Sequence, residues 1–257
     1  MKKLENKENS ELKFITQEFQ NKLVELGKAI SKLIGPISNL QIKLPPSLII
    51  KLHKLPEILG EDCNVLADAG WFFTGHETPA EVHELASIKR KKGDESLNSK
   101  IISMYESDNW NLLEKRLNSI IYYPEFSSLS QIINECFWAH SSEKYHLSII
   151  AGLTVIESMI ASASGKLLTQ NKNVKNQWNK TFKALGEIDA LLKKPFSSFL
   201  DKLFGSMPFD KPAPTIINRH WIMHRLILIK PDTGTKINSL RILLAIVFIG
   251  EASNKNK

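Results

Sequence analysis

Residues 147–160 read LSIIAGLTVIESMI and residues 237–250 read INSLRILLAIVFIG. Each segment is almost entirely apolar but contains one charged residue, Glu157 in the first and Arg241 in the second. Neither reaches the roughly 20 apolar residues that a membrane-spanning helix requires. Both segments are therefore predicted to be buried helices in the core of a domain that does not cross a membrane.

The rest of the sequence also favours helices. Apolar residues recur at three- and four-residue steps in residues 11–33, and Thr78-Pro79-Ala80-Glu81 has the pattern of a helix start with a capping box. Strand patterns are nearly absent, so the predicted fold class is all-α. One predicted helix begins at Thr78. The other predicted helices cover residues 11–33, 47–55, 56–69, 95–106, 109–120, 127–141, 143–163, 174–203 with interruptions, 215–228 and 236–251.

The pattern changes at residues 120–126, where Pro124 interrupts the helical periodicity. We predict a smaller N-terminal helical region of unknown role at residues 1–123 and a C-terminal helical bundle at residues 124–257. The aromatic run Gly70-Trp71-Phe72-Phe73 is interpreted as core packing near a helix end.

The composition limits the class of protein. The 257 residues have a net charge of +7, and only five of the 34 cationic residues are arginines. Two cysteines are too few for a disulfide framework or a zinc site, and no apolar stretch of a signal peptide follows the charged N-terminus. These features predict a cytoplasmic protein, and its excess positive charge is compatible with an acidic partner such as RNA. The basic run at residues 89–92 is interpreted as a solvated helix end.

Chemically active side chains are concentrated in residues 214–225, which read PTIINRHWIMHR. His220 and His224 are four residues apart and therefore lie on one helical face, while Asn218 and Arg219 lie near the expected helix start. A helix start also presents free backbone N–H groups that suit an anion. An amide, a guanidinium and two imidazoles within seven residues suit the binding and cleavage of a phosphodiester, because the donors can bind the phosphate oxygens and an imidazole can transfer a proton.

Other catalytic motifs are missing from the sequence. It contains no Walker loop, no GxGxxG or GxSxG pattern and no HExxH zinc motif. His140 and His146 flank a predicted turn, and we expect them at the surface. No metal and no cofactor are predicted.

The motif and its surroundings resemble the HEPN superfamily, many of whose members are ribonucleases with an Arg-x(4–6)-His motif. The resemblance depends on the sequence NRHWIMH at residues 218–224, on DTGTKINSLRILL at residues 232–244, and on FWAH and YHLSIIAGLTVIE at residues 137–140 and 145–157. It covers about residues 125–252. Residues 60–123 are similar, more weakly, to a helical region often fused upstream in bacterial members. Arg225 departs from the pattern, because related bacterial segments usually have glycine directly after the second histidine.

The resemblance implies RNA cleavage without a metal, in which the 2′-hydroxyl attacks the adjacent phosphorus and leaves a 2′,3′-cyclic phosphate. His224 is the candidate general base or acid, and Arg219 the group that binds the scissile phosphate. Asn218 and His220 are expected to bind phosphate or orient the other groups. Arg225 either adds a phosphate contact or blocks the site.

Glu157 lies in the middle of an apolar helix, where a carboxylate needs a partner. We predict that it faces the motif and orients Arg219 or one of the histidines. The alternative is a purely structural ion pair.

The resemblance also implies a homodimer in which two copies of the motif meet, with the helix at residues 215–228 at or near the interface. The expected substrate is RNA, and the expected setting is a toxin or an antiviral defence effector with a possible antitoxin or regulatory protein. Two alternatives stay open: a catalytically inactive module that binds RNA, nucleotide or a protein partner, and a helix whose polar residues are incidental. A hydrolytic or phosphorolytic metalloenzyme is a distant third, because a metal bound by His220 and His224 would need carboxylate ligands that the sequence does not obviously supply.

Overall fold

The computed structural model describes residues 46–164, 174–181, 187–207, 210, 214, 216–225 and 236–255. These residues form helices and short connections with no strand among them, which confirms the all-α prediction. The helix predicted at residues 11–33 lies outside the described residues. The chain divides into two units after residue 50, and the described residues from 51 onward belong to the second unit. The division predicted between residues 123 and 124 falls within the second unit and stays a prediction.

The helices are numbered here in chain order. They are α1 (Pro46–Asp68), α2 (Pro79–Glu106), α3 (Asn111–Ile121), a 3₁₀ helix (Pro124–Leu129), α4 (Ser130–Ser141), α5 (Tyr145–Ser164), α6 (Val174–Thr181), α7 (Glu187–Phe204), α8 (Arg219–Arg225) and α9 (Lys236–Lys255). The break predicted before Pro56 is wrong, because α1 continues through it. The start predicted at Thr78 is confirmed: its side chain and that of Glu81 form a reciprocal capping box.

The two apolar segments form the centre of the fold as α5 and α9. Residues 238–250 of α9 are all buried, and α5 packs closely against this helix. Gly152 permits the close approach, since a Cβ there would overlap Cγ2 of Ile242. Both helices are also long and apolar enough to cross a membrane, a property that buried core helices share. The cytoplasmic location therefore stays a prediction.

The aromatic run that follows α1 is part of the core, as the sequence predicted. Trp71, Phe72 and Phe73 are all buried, and the ring of Phe72 packs 4.9 Å from that of Phe196 and 4.7 Å from that of Phe199. The chain reaches this position through Gly70, whose φ of 78° lies in the left-handed region. The N–H groups of Gly70 and Trp71 bond back into the last turn of α1, as in a Schellman motif.

Two cations hold the C-terminal end of α1. The Nζ of Lys202 donates to the carbonyl oxygens of Ala67 and Asp68, and Nη2 of Arg241 donates to that of Ala69. Because a helix C-terminus carries unpaired carbonyl groups and a partial negative charge, both cations stabilise it. Through Lys202, α1 is also joined to α7, which leads toward the motif.

His140 is buried, so the prediction that it lies at the surface is wrong. Its Nδ1 lies 2.7 Å from Oγ of Ser239, which donates to Oγ of Ser148. The ring of Trp110 covers it edge-on at 4.4 Å. The sequence places His140 beside a turn, but α4 continues to Ser141, the turn begins at residue 142, and Ser239 of α9 contacts the imidazole. His146 is exposed, as predicted.

We expect acid to destabilise the fold through His140. Burial lowers the pKa of His140 from 6.5 to about 4, with a smaller contribution from Lys236. The unfolded state therefore takes up a proton that the folded state rejects, so the stability present above pH 6.5 is lost as the pH falls toward 4. The loss amounts to about 3 kcal/mol. Urea denaturation at pH 7 and pH 4 measures it, and His140→Asn, which keeps a hydrogen-bonding group but does not titrate, should lose much less over the same range.

Candidate functional site

The motif helix α8 begins at Arg219 and is capped by the residue before it. Oδ1 of Asn218 accepts a hydrogen bond from the backbone N–H of Trp221 at 3.2 Å, the arrangement of a helix N-cap. Trp221 and Ile222 are buried, whereas Met223 is about half exposed. The helix start predicted at residue 215 is wrong, because residues 216–218 are not helical and α8 begins at Arg219; the part predicted after Arg225 lies outside the described residues.

The amide of Asn218 also fixes the position of α8 against α7. Its Nδ2 donates to the carbonyl oxygens of Lys202 and Gly205, both at 2.8 Å, and the side chain is fully buried. Both amide hydrogens are used in these bonds, so none is left for a phosphate. The geometry gives Asn218 a part in orienting the motif helix, and phosphate binding by this side chain is disfavoured.

Glu157 faces the first residue of the motif helix. Its Oε1 lies 2.7 Å from Nε of Arg219, and both side chains are roughly one quarter exposed. This ion pair is the contact that the sequence predicted between Glu157 and the motif. Burial raises the pKa of Glu157, and the guanidinium of Arg219 opposes that rise. The charged pair thus joins the middle of α5 to the start of α8 and leaves part of each side chain accessible.

The other motif residues lie along the same short helix. The side chain of His220 is partly exposed and is not free of partners. The backbones of His224 and Arg225 complete α8, but their side chains lie outside the described residues. At 3.6 residues per turn, the five residues from Arg219 to His224 advance the direction by about 140°. The helix alone therefore does not place these two residues on one face.

The sequence did not indicate how the segment before the motif is held. Ile216 packs against Gly70, where a Cβ would come within 2.8 Å of its Cδ1, and Asn218 donates to the backbone carbonyl oxygens of Lys202 and Gly205. A backbone carbonyl acceptor cannot be recognised from the residue type, because every residue has one. Gly205 follows the last residue of α7, and a glycine at that position is a recognisable sign of a helix end. The site therefore depends on α1 and α7 as well as α5 and α8.

Within the described part of the chain, no three His, Cys, Asp or Glu side chains are grouped so as to hold a metal ion. Burial raises the pKa of the Cys63 thiol to about 11 and that of Cys136 to about 12. Both thiols therefore stay protonated near neutrality and are poor nucleophiles. The available chemistry at the motif is that of a guanidinium, a carboxylate and imidazoles.

Comparison with known proteins gives no assignment: no family model, no curated protein and no solved structure matches the chain.

The charge pair at the site predicts a pH dependence in a variant that lacks the arginine. In Arg219→Ala the carboxylate of Glu157 loses its cation, so its pKa in the folded state rises further above the unfolded value of about 4.5. A raised carboxyl pKa gives stability at low pH that is lost as the pH increases. We therefore expect Arg219→Ala to cost about 1 kcal/mol more at pH 7 than at pH 4, measured by urea denaturation.

The double variant Glu157→Gln/Arg219→Ala is the control for this effect. It has no carboxylate at the site, so the additional loss at pH 7 should disappear. A loss that persists in the double variant would show that another group causes it, and the Glu157–Arg219 pair would then contribute little at either pH.

Proposed function

We propose that the chain is a metal-independent endoribonuclease that cleaves RNA through Arg219 and His224. The proposal is supported by the sequence NRHWIMH and by one observation above all, the ion pair between Glu157 and Arg219. That pair holds a partly exposed guanidinium at the start of a capped helix whose next turn contains His224.

The reaction is an internal transesterification. The 2′-oxygen of a ribose attacks the neighbouring phosphorus, the bond from phosphorus to the 5′-oxygen breaks, and a 2′,3′-cyclic phosphate and a 5′-hydroxyl result. A base removes the 2′-hydroxyl proton and an acid protonates the leaving 5′-oxygen. An unperturbed imidazole has a pKa of about 6.5, so His224 suits either role near neutrality.

Arg219 is assigned to the phosphate in this proposal. A guanidinium matches two phosphate oxygens with parallel N–H donors and counters the charge that builds on them. Glu157 holds Nε of Arg219, so the two terminal nitrogens remain for the substrate. Glu157 and Asn218 are positioning residues, His220 is a further candidate for phosphate contact, and Arg225 keeps both of its predicted roles.

The dimer, the setting and the partners remain predictions. We propose that two copies of α8 meet to complete the site, and that a regulatory protein restrains the activity, as in a toxin or a defence effector. The half-exposed Met223 on α8 is compatible with an interface there.

The second candidate is a catalytically inactive module that binds RNA, nucleotide or a protein. The observation that favours it is the neutralisation of Arg219 by Glu157, because a phosphate must compete with that carboxylate. In such a module the ion pair between Glu157 and Arg219 would mainly stabilise the packing of α8 against α5.

The test is an RNA cleavage assay with purified full-length protein in EDTA, using transfer RNA and total RNA as substrates. The ribonuclease proposal predicts cleavage that excess EDTA does not inhibit and that Arg219→Ala reduces at least a hundredfold. A folded wild-type protein that binds these RNAs but does not cut them would support the binding module and contradict the proposal.

A further inference from the structure

A second cluster of polar side chains joins α1 to α2 and shares no residue with the motif helix. Asp62 of α1 is buried, and each of its carboxylate oxygens has one partner on α2. Oδ2 lies 2.8 Å from Nδ1 of His83, and Oδ1 lies 2.6 Å from Nη1 of Arg90. A carboxylate buried to this degree is costly unless hydrogen-bonded, and here both bonds go to basic groups.

The two partners of Asp62 are open to solvent, although the carboxylate is not. The side chain of His83 is 61% exposed and that of Arg90 is 40% exposed. They are seven residues apart on α2, two helical turns, and so share one face. Because Nδ1 of His83 and Nη1 of Arg90 are turned toward Asp62, Nε2 of the imidazole and the remaining guanidinium nitrogens are the atoms left for another molecule.

Those remaining atoms suit an anion with several oxygens. The free edge of a guanidinium presents parallel N–H donors, and an imidazole that donates Nδ1–H to a carboxylate donates Nε2–H to an anion once it is protonated. The neighbouring Lys91 and Lys92 are exposed and add positive charge, whereas Lys89 is paired with Asp94. The buried carboxylate gives the two basic groups a fixed geometry, which a flexible lysine cluster lacks.

We propose that Asp62, His83 and Arg90 form a binding site for a backbone phosphate of RNA, separate from the motif helix. The choice of RNA as the source of the phosphate rests on the proposed ribonuclease function. His83 and Arg90 contact the phosphate, and Asp62 orients both of them without touching it. The site adds one phosphate contact to a long RNA and takes no part in bond cleavage.

The position of the cluster fits this role. From Asp62 to Asp68 the helix α1 rises by about 9 Å. The carbonyl of Asp68 is bound by Lys202, and the carbonyl of Lys202 is bound by Asn218 at the start of the motif. Helix α1, Lys202 of α7 and Asn218 therefore link the cluster to the segment that carries Arg219.

The test measures binding of a fluorescent 12-nucleotide RNA with 2′-O-methyl groups, which cannot undergo the cleavage reaction, to the full-length protein. Arg90→Gln is compared with Lys100→Gln, which removes the same charge from an exposed ion pair in the part of α2 that follows the kink at Gly93. We expect Arg90→Gln to weaken binding about tenfold and to reduce the salt dependence by about one phosphate contact. Lys100→Gln should change the affinity less than twofold. Arg90→Lys keeps the charge but loses the parallel N–H donors of the guanidinium, so its affinity should lie between those of the other two variants.

A second measurement examines His83 directly. Inorganic phosphate should shift the imidazole NMR signals of His83 in the wild type and should not shift them in Arg90→Gln. Equal weakening of RNA binding by Arg90→Gln and Lys100→Gln would overturn the site, because net charge alone would explain it. No His83 shift with phosphate, in a protein whose circular dichroism is normal, would overturn it as well.

Cleavage of a dinucleoside monophosphate separates this proposal from the ribonuclease proposal, because that substrate has only the scissile phosphate. If it is cut equally by the wild type and Arg90→Gln while both bind long RNA equally, the site fails and the ribonuclease stands. If nothing is cut but RNA affinity still depends on Arg90, the site stands and the ribonuclease fails.

Discussion

Replacing His224 by alanine is expected to reduce RNA cleavage by about 10²–10⁴-fold while leaving the protein folded. The reason is that the imidazole is the residue in the motif that both accepts and donates a proton near neutral pH. The loss should appear in kcat, since the histidine acts on the proton in the transition state and contributes less to binding. Initial rates on a defined RNA oligonucleotide, measured over a range of substrate concentrations, give the two constants separately.

The matched control is Met223→Ala on the same helix. Met223 precedes His224 and is about half exposed, so its truncation leaves the core of the protein unchanged. We expect Met223→Ala to retain the cleavage rate per dimer, even if it weakens the association of two copies. Cleavage that survives His224→Ala undiminished would point to another residue or a contaminant, and the assignment of His224 would have to be withdrawn.

Replacing Asn218 by alanine is expected to lower the free energy of unfolding by about 4 kcal/mol. Three hydrogen bonds are lost: the cap on the N–H of Trp221 and the bonds to the carbonyl groups of Lys202 and Gly205. A lost N-cap costs about 1 kcal/mol, and each buried carbonyl group left without a donor costs about 1–3 kcal/mol. For a chain of this size the melting temperature should fall by about 10 °C.

Asn218→Asp separates the two contributions of this amide. Aspartate keeps the oxygen that caps α8 and adds a negative charge, which a helix start favours, but it has no N–H for the two carbonyl groups. We therefore expect Asn218→Asp to remain destabilised by at least 2 kcal/mol. Asn134→Ala, at an exposed position of α4, should change stability by no more than about 0.5 kcal/mol. A fully stable Asn218→Asp would mean that the cap is the only important bond.

The sequence was sufficient for most of the helices and for one contact of the candidate site. Periodic apolar residues and the capping box at Thr78 identified most helices, because these signals are local. The pairing of Glu157 with Arg219 followed from a physical argument, namely that a carboxylate in an apolar helix needs a partner. The continuation of α1 through Pro56 was missed because a proline is also a common first residue of a helix.

Two other features could not be predicted because they depend on which elements meet in space. His140 lies next to a turn in the sequence, but α9 covers it from 99 residues away. The charge run at residues 89–92 was interpreted as a solvated helix end, and only the tertiary structure brings Asp62, 28 residues earlier, to Arg90. Local patterns describe a residue's own helix, whereas burial and pairing depend on the helices packed against it.

The chemical nature of the ends that the wild-type protein leaves on RNA in EDTA tests the proposed ribonuclease most directly. Cleavage by the 2′-hydroxyl leaves a 2′,3′-cyclic phosphate on one product and a 5′-hydroxyl on the other, and we expect no cut at a position where the attacking ribose is replaced by 2′-deoxyribose. Products with a 5′-phosphate and a 3′-hydroxyl, or cleavage that continues at the 2′-deoxy position, would contradict it, because water would then be the nucleophile.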